Sequence, residues 1–172
     1  MARYRLGFLV ALLIFLGDQL AKGFVTGPLA LREVGQIVLL PIFRLYYVEN
    51  RGVSLGMLTA DSEVERWLLV ALTGAIAVGV SVWIARERNR WDVAALALVL
   101  GGALGNILDR ARLGYVVDFL DLHFGAIHPF YVFNLADSAI SIGVVLLLAR
   151  SLLLRDKPAQ TPANPAVSET LH

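Results

Sequence analysis

Apolar residues fall into four long runs, over residues 6–25, 67–85, 93–108 and 130–148, the last extending as far as Leu154. A helix that crosses a bilayer needs about 20 apolar residues, so each run predicts one span, the third a short one. None of the six prolines interrupts a run. Pro129 stands just before the fourth, where a first-turn proline is tolerated. Residues 26–66 are too many for a simple turn. Their stretches 37–40 and 43–48 are β-branched and aromatic and are broken by Pro41, which predicts a small sheet. The pattern gives an all-α membrane protein: four transmembrane helices, with a small extracytoplasmic β-rich loop domain between the first and second.

Composition agrees. The 172 residues are 58% hydrophobic with a mean hydropathy of +0.69, against about 45–50% apolar residues in soluble domains. The net charge of +1 carries no nucleic-acid footprint. Cysteine is absent, which excludes disulfides, thiolate metal sites, a cysteine nucleophile and lipid attachment through a thiol. Arg3 and Arg5 precede the first run; it is read as a retained span, because no A-x-A-like site follows and Asp18 and Lys22 lie within it. The ends and the second connection hold Arg3, Arg5, Arg86, Arg88, Arg90, Arg150, Arg155 and Lys157 against Glu87, Asp92, Asp156 and Glu169, or 8 − 4 = +4. The opposite side holds 7 − 10 = −3. The positive-inside rule then puts both termini in the cytoplasm. The membrane domain is expected over 1–155, with a polar, proline-bearing, disordered cytoplasmic tail over 156–172.

Polar residues enter the apolar runs in clusters: Asp18-Gln19 with Lys22, Asn106 with Asp109-Arg110, Asp118 between Val117 and Phe119, and Asn134 with Asp137. By the predicted orientation all lie toward the outer face. An aspartate at a bilayer centre costs about 2.5–3.5 kcal/mol, so repeated acids call for a use. Asn134, Asp137, Ser138 and Ser141 recur at helical spacing, as do Asn106, Asp109 and Arg110. Counted from Phe130, Asp137 should lie about 10 Å down its helix. Gly101 and Gly105 form a G-x-x-x-G pair that lets helices approach closely and leads into Asn106. Ala71, Ala75 and Gly79 read as a packing surface only. Two carboxylates in a low-dielectric site share a proton and can work as acid and base on a water; Asp118, flanked by apolar residues, is a candidate for a raised pKa. Asp109 beside Arg110 reads first as an ion pair. Asp18 and Lys22, one turn apart, are open between pair and site. Asn50-Arg51-Gly52 reads as a turn with glycine at positive φ. His123, His128 and Asp121 are a weak metal-ligand pattern, so no metal or other cofactor is expected.

Together these motifs resemble the bacterial lipoprotein signal peptidase (signal peptidase II) family. The match runs from Asp18 to Ser138 through Asp18-Gln19-x-x-Lys22, Asn50-x-Gly52, Gly102-x-x-Gly105-Asn106-x-x-Asp109-Arg110, Val117-Asp118-Phe119 and Phe133-Asn134-x-Ala136-Asp137-Ser138. Leu55 departs from the usual phenylalanine. The resemblance implies an aspartic endopeptidase with Asp118 and Asp137 catalytic. It implies substrate positioning by Asn50, Gly52, Asn106, Arg110 and Asn134, and less defined roles for Asp18, Lys22 and Asp109. It further implies a diacylglyceryl-modified prolipoprotein as substrate, cut just before the lipidated cysteine at the outer face of the bacterial cytoplasmic (inner) membrane. Partners are then that substrate and membrane lipid, with no nucleic acid; a monomer is expected. The competing reading is a proton-coupled transporter or channel using the same acids; a purely structural scaffold leaves their cost unexplained.

Overall fold

The computed structural model describes residues 2–52, 63–125 and 127–153. The tail, Leu154 and Leu55 lie outside them. Four helices are long and apolar enough to cross a membrane: α1 (Ala2–Thr26), α3 (Glu63–Arg86), α4 (Arg90–Leu113) and α5 (Leu135–Leu153). A four-residue helix, α2 (Leu31–Val34), and strands β1 (Gln36–Leu40) and β2 (Phe43–Asn50) fill the first connection, and β3 (Val116–Leu122) follows α4.

The central helix is α4. It buries half of its apolar stretch, where the other three bury about a fifth (17–22%). Glycine is the reason neighbours come so close. A Cβ on Gly101 would meet the Ala11 carbonyl of α1 at 2.5 Å, one on Gly105 would meet the Asp18 carboxylate at 2.5 Å, and one on Gly102 would strike the Ala136 carbonyl of α5. Gly143 answers from α5, against the Ala95 carbonyl. The G-x-x-x-G pair therefore serves α1, and the glycine between serves α5.

Outward faces stay apolar, as the lipid-facing side of a bundle requires: Leu13, Leu20, Leu68, Val78, Val145 and Leu152 are all exposed. The packing face of α3 is Leu69, Ala77 and Ile84. Ala71, Ala75 and Gly79 are exposed, so their reading as a packing surface is overturned. They sit on the wrong side of the helix, and small size alone did not reveal the side.

Three further expectations change. α4 runs five residues beyond the predicted end at 108, closed by Gly114, whose φ of 85° and N–H bond to the Arg110 carbonyl (3.2 Å) end the helix. The sheet has a third strand: β1, β2 and β3 pair antiparallel in that order, with Val48 opposite Asp118 and Asn50 opposite Val116. β3 is buried along most of its length, so its polarity does not alternate and no two-residue period marks it. α5 starts at Leu135, not at Phe130. Before it, Phe133 exchanges backbone hydrogen bonds with Leu120 of β3 (2.8 and 3.0 Å). Residues 130–133 are therefore not helical, and Asp137 lies in the first turn of α5, not 10 Å down it.

Candidate active site

Two elements deliver the two aspartates. β3 carries Asp118 in a run of buried residues, and the first turn of α5 carries Asp137. Asn134 is the N-cap of α5. Its Oδ1 accepts from the Asp137 N–H (2.9 Å), and Asp137 Oδ2 accepts from the Asn134 N–H (3.3 Å). This reciprocal capping box ties down two orphan donors of the helix start. It also turns the Asn134 amino group outward, where it donates to Asp118 Oδ1 (2.7 Å). Asn50 donates to the other oxygen of Asp118 (2.9 Å). Asn106 donates to Asp137 Oδ1 (2.7 Å) and accepts from Asn134 (3.2 Å). Asp118 and Asp137 are thus joined through Asn134 and Asn106, and among the described residues no cation is in contact with either carboxylate.

Electrostatics follow. Burial, and then the nearby charge of Asp137, push the Asp118 carboxyl up to about 7 against the opposing pull of Asn50, Asn134 and Lys22. Asp137 sits at the positive end of the α5 dipole, which favours a negative charge there.

Arg110 lies beside the pair. Its guanidinium donates to the Gly52 carbonyl at 3.4 Å, and its buried Nε has no hydrogen-bond partner among the described residues. Gly52 lacks a positive φ, so its predicted conformational role is corrected. Its N–H bonds the Asn50 side chain (3.2 Å) and its carbonyl meets Arg110.

Asp137, Asn106, Arg110 and Asn50 face a cavity of about 820 Å³ among α3, α4, α5 and the 129–133 segment. Ile76, Val99, Ile107, Ile140 and Ile142 make most of its wall apolar. Asp118 stands behind this lining, 1% exposed.

Asp18, Lys22 and Asp109 form a separate buried cluster. Lys22 lies 2.7 Å from Asp18 and 2.8 Å from Asp109. Asp109 pairs with Lys22, not with Arg110 as the sequence suggested: along α4 it points toward α1, while Arg110 points into the cavity. Gln19, which the sequence reading did not single out, donates to Asp18 (3.2 Å) and Asp109 (3.0 Å). Its place inside the Asp18-x-x-x-Lys22 spacing was the available signal. Asp121 accepts from Arg44 (2.6 Å) and contacts His128 (3.2 Å). Burial would raise its carboxyl, but these two partners outweigh it and hold it below the usual range.

The comparisons agree with one another. The family model described as signal peptidase (SPase) II matches residues 10–153. The lipoprotein signal peptidase of Sphingopyxis alaskensis is 53% identical, covering 95% of this chain and 94% of its own. That of Rhizorhabdus wittichii is 58% identical over 88% of each. A bacterial membrane enzyme solved by the in meso method at 2.3 Å superposes with a TM-score of 0.74 at 26% identity, over 92% of this chain and 93% of that one. From the spanning helices, the sheet that closes over them and these relatives, the chain belongs to the signal peptidase II family.

Proposed function

We propose that this chain is an intramembrane aspartic endopeptidase that removes the signal peptide from diacylglyceryl-modified prolipoproteins, cutting just before the lipidated cysteine. The observation that carries the reading is the linked pair, Asp118 and Asp137, at the polar end of an otherwise apolar cavity.

The pair holds one proton. Asp118 carries it, since its carboxyl is raised to about 7. Asp137 is the base of the pair, oriented by the Asn106 amide and the Asn134 N–H. A water beside Asp137 gives it a proton and attacks the peptide carbonyl carbon, while Asp118 protonates the carbonyl oxygen. The resulting diol collapses as Asp137 passes its proton to the leaving nitrogen and Asp118 takes one back from a hydroxyl. One water is consumed and both carboxyls return to their starting states. Arg110, whose side chain lines the cavity, holds a substrate carbonyl. Asn50 and Gly52 border the same space.

The apolar wall suits a substrate kept in the membrane by its signal helix and acyl chains. The chains are already in lipid, so lipidation sets register more than affinity. The active site faces the extracytoplasmic side with both termini cytoplasmic, on the charge asymmetry. Residues 1–155 form the peptidase domain. All seven buried polar side chains among the described residues (Asp18, Lys22, Asn106, Asp109, Asp118, Asp121 and Asn134) belong to the end that bears the sheet. A proton path would need carriers in the opposite half, so this grouping favours the peptidase over the transporter.

The test is purified protein with one lipobox peptide, with and without the diacylglyceryl group. The lipidated peptide should release free signal peptide, with kcat/KM higher by about 100-fold or more, the size expected when remote binding sets the reacting geometry. Equal values for both peptides contradict the lipid's role; no cleavage of either contradicts the peptidase.

A further inference from the structure

We propose that Lys22 is a positioning residue: with Asp18 and Asp109 it fixes the Asn106 carboxamide and the backbone beside both reacting aspartates. The inference rests on the peptidase reading above.

An ammonium has three donors, and Lys22 places them on Asp18 (2.7 Å), Asp109 (2.8 Å) and Asn106 Oδ1 (3.2 Å). With its carbonyl oxygen on a cation, Asn106 must turn its amino group to Asp137, where it donates at 2.7 Å. The flipped amide would set an amino group against the ammonium and a carbonyl against the carboxylate, so both contacts would repel.

The two acids of the cluster reach the same centre by another route. Asp18 Oδ1 accepts the N–H of Ala136 (3.0 Å), directly before Asp137. Asp109 Oδ2 accepts the N–H of Val117 (3.2 Å), directly before Asp118. One cluster therefore holds α5 and β3 to α1 and α4 at the residues adjoining the dyad. Gln19 braces it by bonding both acids. Stability alone is a poor reason for such an arrangement. Two buried acids and one buried base are costly to desolvate, and well-packed apolar groups of similar volume are often as stable. Orientation of the dyad gives the charges a use.

The experiment exploits two features of the chain. It has no cysteine, and Lys22 borders a second cavity, of about 350 Å³, formed with Thr26, Arg32, Tyr47 and Tyr115. Lys22→Cys introduces a single thiol that 2-bromoethylamine converts to a near-copy of the lysine side chain. Turnover of the lipidated peptide and thermal unfolding are measured on the same samples. The unmodified variant should unfold cooperatively and lose about 10–100-fold in kcat, as when an outer-shell partner is removed, with KM within about twofold. Aminoethylation should restore most of kcat; neutral carbamidomethylation should not. A folded variant with native kcat overturns the proposal. So does a loss that appears in KM alone, or one restored equally by both reagents.

If Lys22→Cys does not assemble, the double substitution Lys22→Met with Asp109→Asn removes one charge of each sign. It should fold and show the same kcat loss. Failure of both to fold assigns Lys22 to assembly and also overturns the proposal. Asp137→Asn in the same assay separates the two claims: if it is inactive while the Lys22 variants are native, only this inference falls, whereas an active Asp137→Asn removes the peptidase reading beneath it.

Discussion

Asp18 and Asp118 are equally hidden, at 0% and 1% exposure, yet they occupy opposite chemical situations. Asp18 shares a lysine ammonium at 2.7 Å with Asp109 and touches a backbone N–H. Among the described residues Asp118 bonds only the amides of Asn50 and Asn134, with a second carboxylate near enough to push its own proton affinity upward. Burial is common to both, so burial does not mark the reacting acid. The partners differ: Asp18 is engaged by a cation at ion-pair distance, while Asp118 meets neutral amide donors and lies near a second acid. On the proposed mechanism the pair on β3 and α5 reacts, and the cluster of α1 and α4 supports it.

Substitutions that remove one role and keep the other sharpen this contrast. The largest effect belongs to the pair. Asp118→Asn and Asp137→Asn should each lower turnover by at least about 10³-fold, with membrane insertion and thermal unfolding little changed; near-native turnover in either removes that residue from the dyad. The support cluster should respond in the opposite sense. Asp18→Ala takes one of two acids from Lys22, which keeps Asp109, and frees the Ala136 N–H; it should cost about 3 kcal/mol of stability, the upper scale for a buried donor left unsatisfied, read by chemical or thermal unfolding. A stability loss under about 1 kcal/mol would mean that the cluster holds nothing together. Arg110→Lys is smaller still. It keeps the charge beside the dyad but loses the planar fork, and should reduce kcat/KM by about 10–100-fold, or roughly 1.4–2.7 kcal/mol. An unchanged kcat/KM would leave Arg110 with no substrate contact.

The four spans and the first two strands were legible because long apolar runs and a β-branched stretch broken by Pro41 are local signals. The start of α5 was not, because residues 130–133 are apolar enough to continue a helix and are drawn away by pairing with Leu120, a contact across 13 residues. The local clue was the Asn134-Leu135-Ala136-Asp137 pattern, which has the spacing of a capping box. The strand β3 was missed because burial on both faces erases alternation. Asp118, Asp137, Asn106 and Asn134 were nameable from motifs, but their linkage was not: the order of contacts depends on amide orientation, which no spacing encodes. The Lys22 partners were half legible. Asp18 is one turn away, whereas Asp109 is reached only because Gly101 and Gly105 let α1 and α4 close.

On the proposed mechanism one carboxyl of the pair stays protonated near neutrality, and it is Asp118. Infrared difference spectroscopy of the protonated carboxyl stretch, titrated from about pH 5 to 9 in wild type and in Asp118→Asn, addresses it directly. Because the Asp118 carboxyl is raised from its ordinary 3.8 to about 7, the band should be present at low pH and disappear with a midpoint near 7. It should be absent in Asp118→Asn, and kcat should fall over the same interval as the acid loses its proton. A band that titrates below about pH 5, or one near 7 that survives Asp118→Asn, contradicts the account.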